Sequence, residues 1–304
     1  MADITNRRAS IVLVSCFLIC LFIPAIAAGQ TLDDWPARSE ALSQKIEHGN
    51  TEQKRDALFE IRNFRTPEAS RLALPALKDG SEMVRATAAA SVIFLPENEA
   101  VQALVPLLGD RAEFVRREAA YALGLVGSGL ATPALLKLLQ NEKVMEVRTA
   151  ASVALGGTGD PTAVPQLVSI FKDRPTEENE FLRRSAARSI GQIAQIIKTG
   201  KRRVVTPQNF MPEKYKDIPA GIPVDLTVRL PQFKQAVETL SGVLKNKNEA
   251  DDTRREAAFA LGAVGDAAAT ATLDAAIGST DPYLAEIAKE AKLKIESQKA
   301  NVSQ

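Results

Sequence analysis

Apolar residues recur along most of the chain at three- and four-residue spacing, and the pattern itself returns every 31 to 35 residues. Residues 109–127, GDRAEFVRREAAYALGLVG, carry it in full: a tight turn, an acidic start, an alanine-rich helix and a glycine stop. The same order of chemistry returns at residues 79–96, 141–159, 181–194 and 252–265. Val115-Arg116 corresponds to Val84-Arg85, Val147-Arg148, Leu182-Arg183 and Thr253-Arg254, with steps between arginines of 31, 32, 35 and 71 residues. The last step is two periods, so one repeat's length there has another use. Helical units repeating at this interval bury their apolar faces only by stacking on one another. The expected fold is all-α, a right-handed α-solenoid of stacked antiparallel helix pairs.

Residues 29–65 read as a capping pair, with helices over 32–47 and 51–64 joined by His48-Gly49-Asn50. Ala57, Leu58, Ile61 and Phe64 share one face, and the many charges elsewhere suit the wettable end of a solenoid. Repeats one to four then occupy 66–197, repeats five and six occupy 231–297, and 298–304 is a polar tail. Pro75 and Pro106 fall late in first helices, where each removes a backbone hydrogen bond; Pro133 and Pro161 fall at first turns, where the missing N–H is harmless.

Residues 198–230 break the pattern. Pro207, Pro212, Pro219 and Pro223 exclude a regular helix pair, and the segment carries a net charge of +4. It is expected to loop out between repeats four and five, either as a passive loop or as a binding arm. On the second reading Lys201, Arg202, Arg203, Phe210, Met211 and Tyr215 are the candidate partner-binding residues.

Arg7 and Arg8 precede an apolar run over 11–23 and the small-residue exit Pro24-Ala25-Ile26-Ala27-Ala28, the signature of a secretory signal peptide spanning 1–28. Cleavage is expected after Ala27 or Ala28, giving a periplasmic or extracellular protein. A retained anchor helix and lipidation at Cys16, within Leu13-Val14-Ser15-Cys16, are the alternatives.

Charge and composition narrow the chemistry. Lys plus Arg number 38 against 37 Asp plus Glu, which favours neither nucleic acid nor a membrane surface as partner. Both cysteines, Cys16 and Cys20, lie in the apolar run, and His48 is the one histidine, so most catalytic and metal-binding options are closed. No cofactor, metal or catalytic residue is expected.

The period, the leading prolines and the acid–Val–Arg turn resemble HEAT repeats, and VRREAAYALG and TRREAAFALG are similar to the HEAT-like repeats of phycobilin lyases. The resemblance covers about 66–297. It implies a ladder in which turn acids and helix arginines pair between neighbouring repeats. Asp79/Arg85, Asp110/Arg116 and Glu142/Arg148 keep a six-residue spacing, while Arg183 and Arg254 follow stretched turns, the first lengthened by Glu177, Glu178 and Glu180, that leave the acidic partner of each open. Arg116→Ala is expected to strand Asp110, and both it and Arg148→Ala to lower the melting temperature. Gly156-Gly157-Thr158-Gly159 aligns with Gly124–Gly127 and Gly262–Gly265 and reads as a helix stop rather than a phosphate loop.

Two enzyme families share the repeat, but neither activity transfers. Deoxyhypusine hydroxylases need His-Glu pairs, which this chain lacks, and the lyases work in the cytosol. The expected function is a non-catalytic, exported scaffold or adaptor presenting a curved helical surface and a basic arm to a protein or peptide. The alternative is an accessory or chaperone-like subunit of an envelope enzyme system whose catalytic residues lie in a partner.

Overall fold

The computed structural model describes residues 35–200 and 226–302. It divides into two compact units, Met1–Ala41 and Leu42–Gln304. The first contributes only the opening of helix α1 (Trp35–His48) to the described residues. The signal-peptide segment 1–28, with Cys16, lies outside them. So do Lys201, Arg202, Arg203, Phe210, Met211 and Tyr215, and the four prolines of the insertion.

The second unit is an all-α solenoid, with no strand among the described residues. Helix α2 (Thr51–Phe64) starts with a capping box in which Asn50 and Gln53 satisfy each other's backbone N–H groups. Helix pairs follow: α3 (Pro67–Leu72) with α4 (Glu82–Ser91), α5 (Glu97–Leu104) with α6 (Glu113–Val126), and α7 (Thr132–Asn141) with α8 (Met145–Thr158). Next comes α9 (Val164–Ser169) with α10 (Glu180–Thr199). A single turn, α11 (Leu226–Arg229), precedes α12 (Gln232–Lys245), α13 (Asp251–Val264), α14 (Thr270–Ile277) and α15 (Pro282–Val302). The late prolines cut two first helices short. Chains leaving α3 and α5 tighten into 3-10 turns at Pro75–Lys78 and Val105–Gly109, where proline cannot donate to the carbonyl four residues back.

Each second helix packs on the next: α2 on α4, α4 on α6, α6 on α8, α8 on α10, α10 on α13, and α13 on α15. The core between them is mostly Ala, Val, Leu and Ile. Small residues set the distance of closest approach. A Cβ on Gly124 would meet the Ala154 Cα at 2.7 Å, one on Gly191 the Ala260 Cα at 2.8 Å, and one on Gly262 the Ala291 Cα at 2.6 Å.

This corrects the reading of Gly156 and Gly157 as part of a helix stop. Both lie inside α8, pressed against Ser189 and the Gly124 carbonyl. Only Gly159 ends the helix, in the left-handed region at φ 68°. The sequence pattern could not separate the two roles, because packing glycines and stopping glycines sit three residues apart in one motif.

Repeats four and five stack directly although the chain between them is long. First helices α9 and α12 touch, and Gln232 Nε2 donates to the Pro161 carbonyl. The insertion is also shorter than 198–230. Lys198 is buried, and its ammonium donates to the Val264 carbonyl at 2.7 Å, against the negative end of α13. Leu226 is buried as well. Apolar and charged residues at both rims of the insertion therefore belong to the stack, not to the arm.

Candidate protein-interaction surface

The ladder runs in a different register from the six-residue pairs. Each cation reaches the acid of the following turn: Lys54 to Asp79 at 2.7 Å, Arg85 to Asp110 at 2.7 and 2.8 Å, and Arg116 to Glu142 at 2.7 and 3.1 Å. Arg183 continues the series by pairing with Glu249 across the insertion. Six residues upstream of Arg85 and Arg116 the acceptor is the backbone oxygen of Asp79 and Asp110, at 2.8 and 2.9 Å. The acid's own carboxylate caps its turn, Asp79 accepting from Ser81 N–H and Asp110 from Ala112 N–H, which turns it toward the preceding repeat. Arg116→Ala thus strands Glu142, not Asp110.

Two expected members fall outside the ladder. Arg254 bonds the Leu244 carbonyl and Asp251 of its own helix, while Arg255 takes Asp281 at 2.8 Å. Glu249 lies six residues before Arg255, so the hand-over keeps the spacing and shifts the helix position by one. The side chain of Arg148 makes no ion pair or hydrogen bond among the described residues. In the lengthened turn after α9, Asp173 instead presents its carbonyl to Arg183 at 2.6 Å. Arg148→Ala is accordingly expected to cost no more than about 0.5 kcal/mol, in the range of ordinary surface changes. The ladder was legible as an acid 25 or 26 residues after each cation, about one period less six.

The pairs shift titration in a definite direction. Hydrogen bonds from Arg85, Arg116 and Arg255 hold the carboxyls of Asp110, Glu142 and Asp281 below their usual values. Burial pushes Asp79 up, but Lys54 and the Ser81 N–H outweigh it and leave it lowered. Burial raises Glu256, against the attraction of Arg188. A depressed carboxyl adds stability above its unfolded value, near pH 4, that is lost as the pH falls through its lower folded value. Glu256 acts with the opposite sign, gaining relative stability as pH falls toward its unfolded value. Thermal melts should therefore drop steeply below about pH 4, and Asp110→Asn should make that drop shallower.

The second helices also expose a row of side chains at one repeat position. Phe59, Ala90, Tyr121 and Val153 follow at steps of 31, 31 and 32 residues on the adjacent helices α2, α4, α6 and α8. Phe59 is 47% exposed, Tyr121 37% and Val153 39%. Leu125, one turn beyond Tyr121, is exposed too. The row changes character at α10, where the same position is Arg188, held by Glu256 at 2.8 Å, and at α13, where Phe259 is buried. Arg184 bonds Asp252 there as well, so the C-terminal part of this face is closed by ion pairs. Sequence reasoning passed over the row because its members share a position and not a residue type. His48, the one histidine, is exposed at the end of α1.

The family profile for HEAT repeats matches residues 39–124 and 112–191, and the profile for the PBS lyase HEAT-like repeat matches 253–279. The chain belongs to the HEAT-repeat family. Among solved structures, the HEAT solenoid is similar to an engineered protein at 20% identity and a TM-score of 0.51, covering 85% of this chain and 68% of that one. It is also similar to the complex of CpcE and CpcF of phycocyanin lyase from a Nostoc species, at 20% identity and a TM-score of 0.47, over 87% of this chain and 94% of that one. Human deoxyhypusine hydroxylase in complex with glycerol aligns at 22% identity and a TM-score of 0.36, over 86% and 96%. These likenesses concern the fold. No curated protein matches the HEAT chain.

Proposed function

We propose that this HEAT-repeat chain is a non-catalytic scaffold that holds a segment of another protein along its second helices. The observation that carries the reading is the exposed row of Phe59, Tyr121 and Val153. Tyr121 and Val153 expose apolar side chains at one position of the adjacent helices α6 and α8, with Phe59 at the same position on α2 beyond the small, half-buried Ala90, and clustered exposed apolar side chains mark interaction sites. Aromatic anchors of this kind supply most of the energy of protein contacts. The ladder at the start of the same helices ties each repeat to the next, so the scaffold is pre-organised for its partner.

Export belongs to the same reading, supported by Arg7, Arg8 and the apolar run over 11–23. Intact mass of the secreted protein tests it: a chain starting at Ala28 or Gly29 supports it, and a lipidated Cys16 overturns the cleavage. The scaffold itself is tested by affinity capture from the source's own extract, with wild type beside Tyr121→Lys/Val153→Lys. Both positions are exposed, so helicity and melting should hold while the captured partner is lost. A folded variant that keeps every partner would overturn the role of the row. Deleting 201–225 with a glycine-serine bridge should leave cooperative unfolding intact, because long surface loops add little closure cost and Lys198 and Leu226 remain. If that deletion also loses the partner, the basic arm shares in binding.

A further inference from the structure

A groove opens at the turn edge between repeats two and three. It encloses about 770 Å³, within the roughly 300–1,000 Å³ range of ligand pockets. Val105, Pro106, Leu108, Ala134, Leu138 and Val144 supply apolar walls. Pro106 matters here: it forces the 3-10 turn at Val105–Gly109 that ends the first helix of repeat two, and this turn packs on α7 to form one wall. The only acid lining the groove is Glu142, and both its oxygens are engaged by Arg116. Lys137 and Lys143 also line it, are exposed, and have no ion pair among the described residues. Asn141 adds no negative charge and spends its amide on the Lys137 carbonyl at 2.8 Å. The groove is thus apolar inside and carries two uncompensated positive charges at its edge.

We propose that this groove binds an acidic segment of a partner protein, in which an apolar side chain fills the slot and flanking carboxylates meet Lys137 and Lys143. Charge complementarity selects the occupant. A basic segment would set like charges against both lysines, and a purely apolar one would leave them without partners. The inference rests on the scaffold reading but uses residues of the turns and of α7, none of which belongs to the Phe59–Tyr121–Val153 row.

The test uses the full chain and three fluorescein-labelled peptides, Glu-Glu-Leu-Leu-Glu-Glu, Glu-Glu-Ser-Ser-Glu-Glu and Lys-Lys-Leu-Leu-Lys-Lys, followed by anisotropy. The acidic leucine peptide should bind, and the serine and lysine peptides should bind at least about tenfold more weakly. Its affinity should fall about tenfold or more in Lys137→Glu/Lys143→Glu, and again between ~0.05 and ~0.5 M salt. Lys137→Arg/Lys143→Arg, which keeps both charges, should bind as wild type and melt alike. Equal binding by the charge-reversed protein, or no preference among the peptides, would overturn the proposal. So would concentration-dependent self-association that the acidic peptide displaces, since a second copy would then be the occupant. Tyr121→Lys/Val153→Lys should leave peptide binding unchanged. Loss of the captured partner in that variant, with no peptide binding by wild type, would sink the groove and leave the scaffold standing.

Discussion

Arg183→Ala is expected to lower stability by about 3–5 kcal/mol, the cost of leaving one charge of a buried pair alone. In a chain of this size that is of order 10 °C in melting temperature. Arg183 and Glu249 have side chains 3% and 2% exposed, the most buried pair among the ladder contacts. Arg183 also caps the end of the preceding turn through the carbonyls of Ile170 and Asp173, and its guanidinium lies over the Phe171 ring at 5.1 Å. Its loss strands Glu249 in the contact that joins repeat four to repeat five. The double variant Arg183→Ala/Glu249→Gln should recover part of the loss, since a neutral amide in that site lacks the buried charge. Differential scanning calorimetry of the variants decides it. A single-variant loss no larger than that of Arg148→Ala would show that the pair is not part of what holds the stack.

Gly157→Ala should destabilise, against the ordinary trend. Replacing glycine by alanine inside a helix normally gains about 0.5–1 kcal/mol. Here the new Cβ would lie 2.4 Å from the Gly124 carbonyl oxygen and close to its backbone, with no flexible side chain to move aside. α6 and α8 must separate, and overpacking of this kind costs about 1–3 kcal/mol, more for Gly157→Val. Gly242 provides the control. It is exposed in α12 with nothing within 4 Å of an added Cβ, so Gly242→Ala should stabilise by the ordinary amount. Chemical denaturation of both variants reads the sign. A gain at Gly157 like that at Gly242 would mean that the close approach of α6 and α8 does not depend on Gly157.

By itself the sequence determined the class of fold and the run of its elements. Helical spacing, alanine-rich second helices, turn prolines such as Pro161 and stops such as Gly159 are local signals, and the 31- to 35-residue period states that like units stack. It also carried the residues of the ladder, since a charge on a partly buried helix position requires a partner. Only the tertiary structure decided which partner. Asp110 and Glu142 are each six residues from one arginine and 25 or 26 from another, and the choice depends on which way a carboxylate faces once its turn is capped. Arg148 and Arg254 lost their expected places for the same reason, because a lengthened turn or a one-residue shift re-aims a side chain without altering the motif. The exposed row and the groove were beyond the sequence altogether. Each is assembled from residues of different repeats, and exposure is a property of the stack, not of the helix that carries the residue.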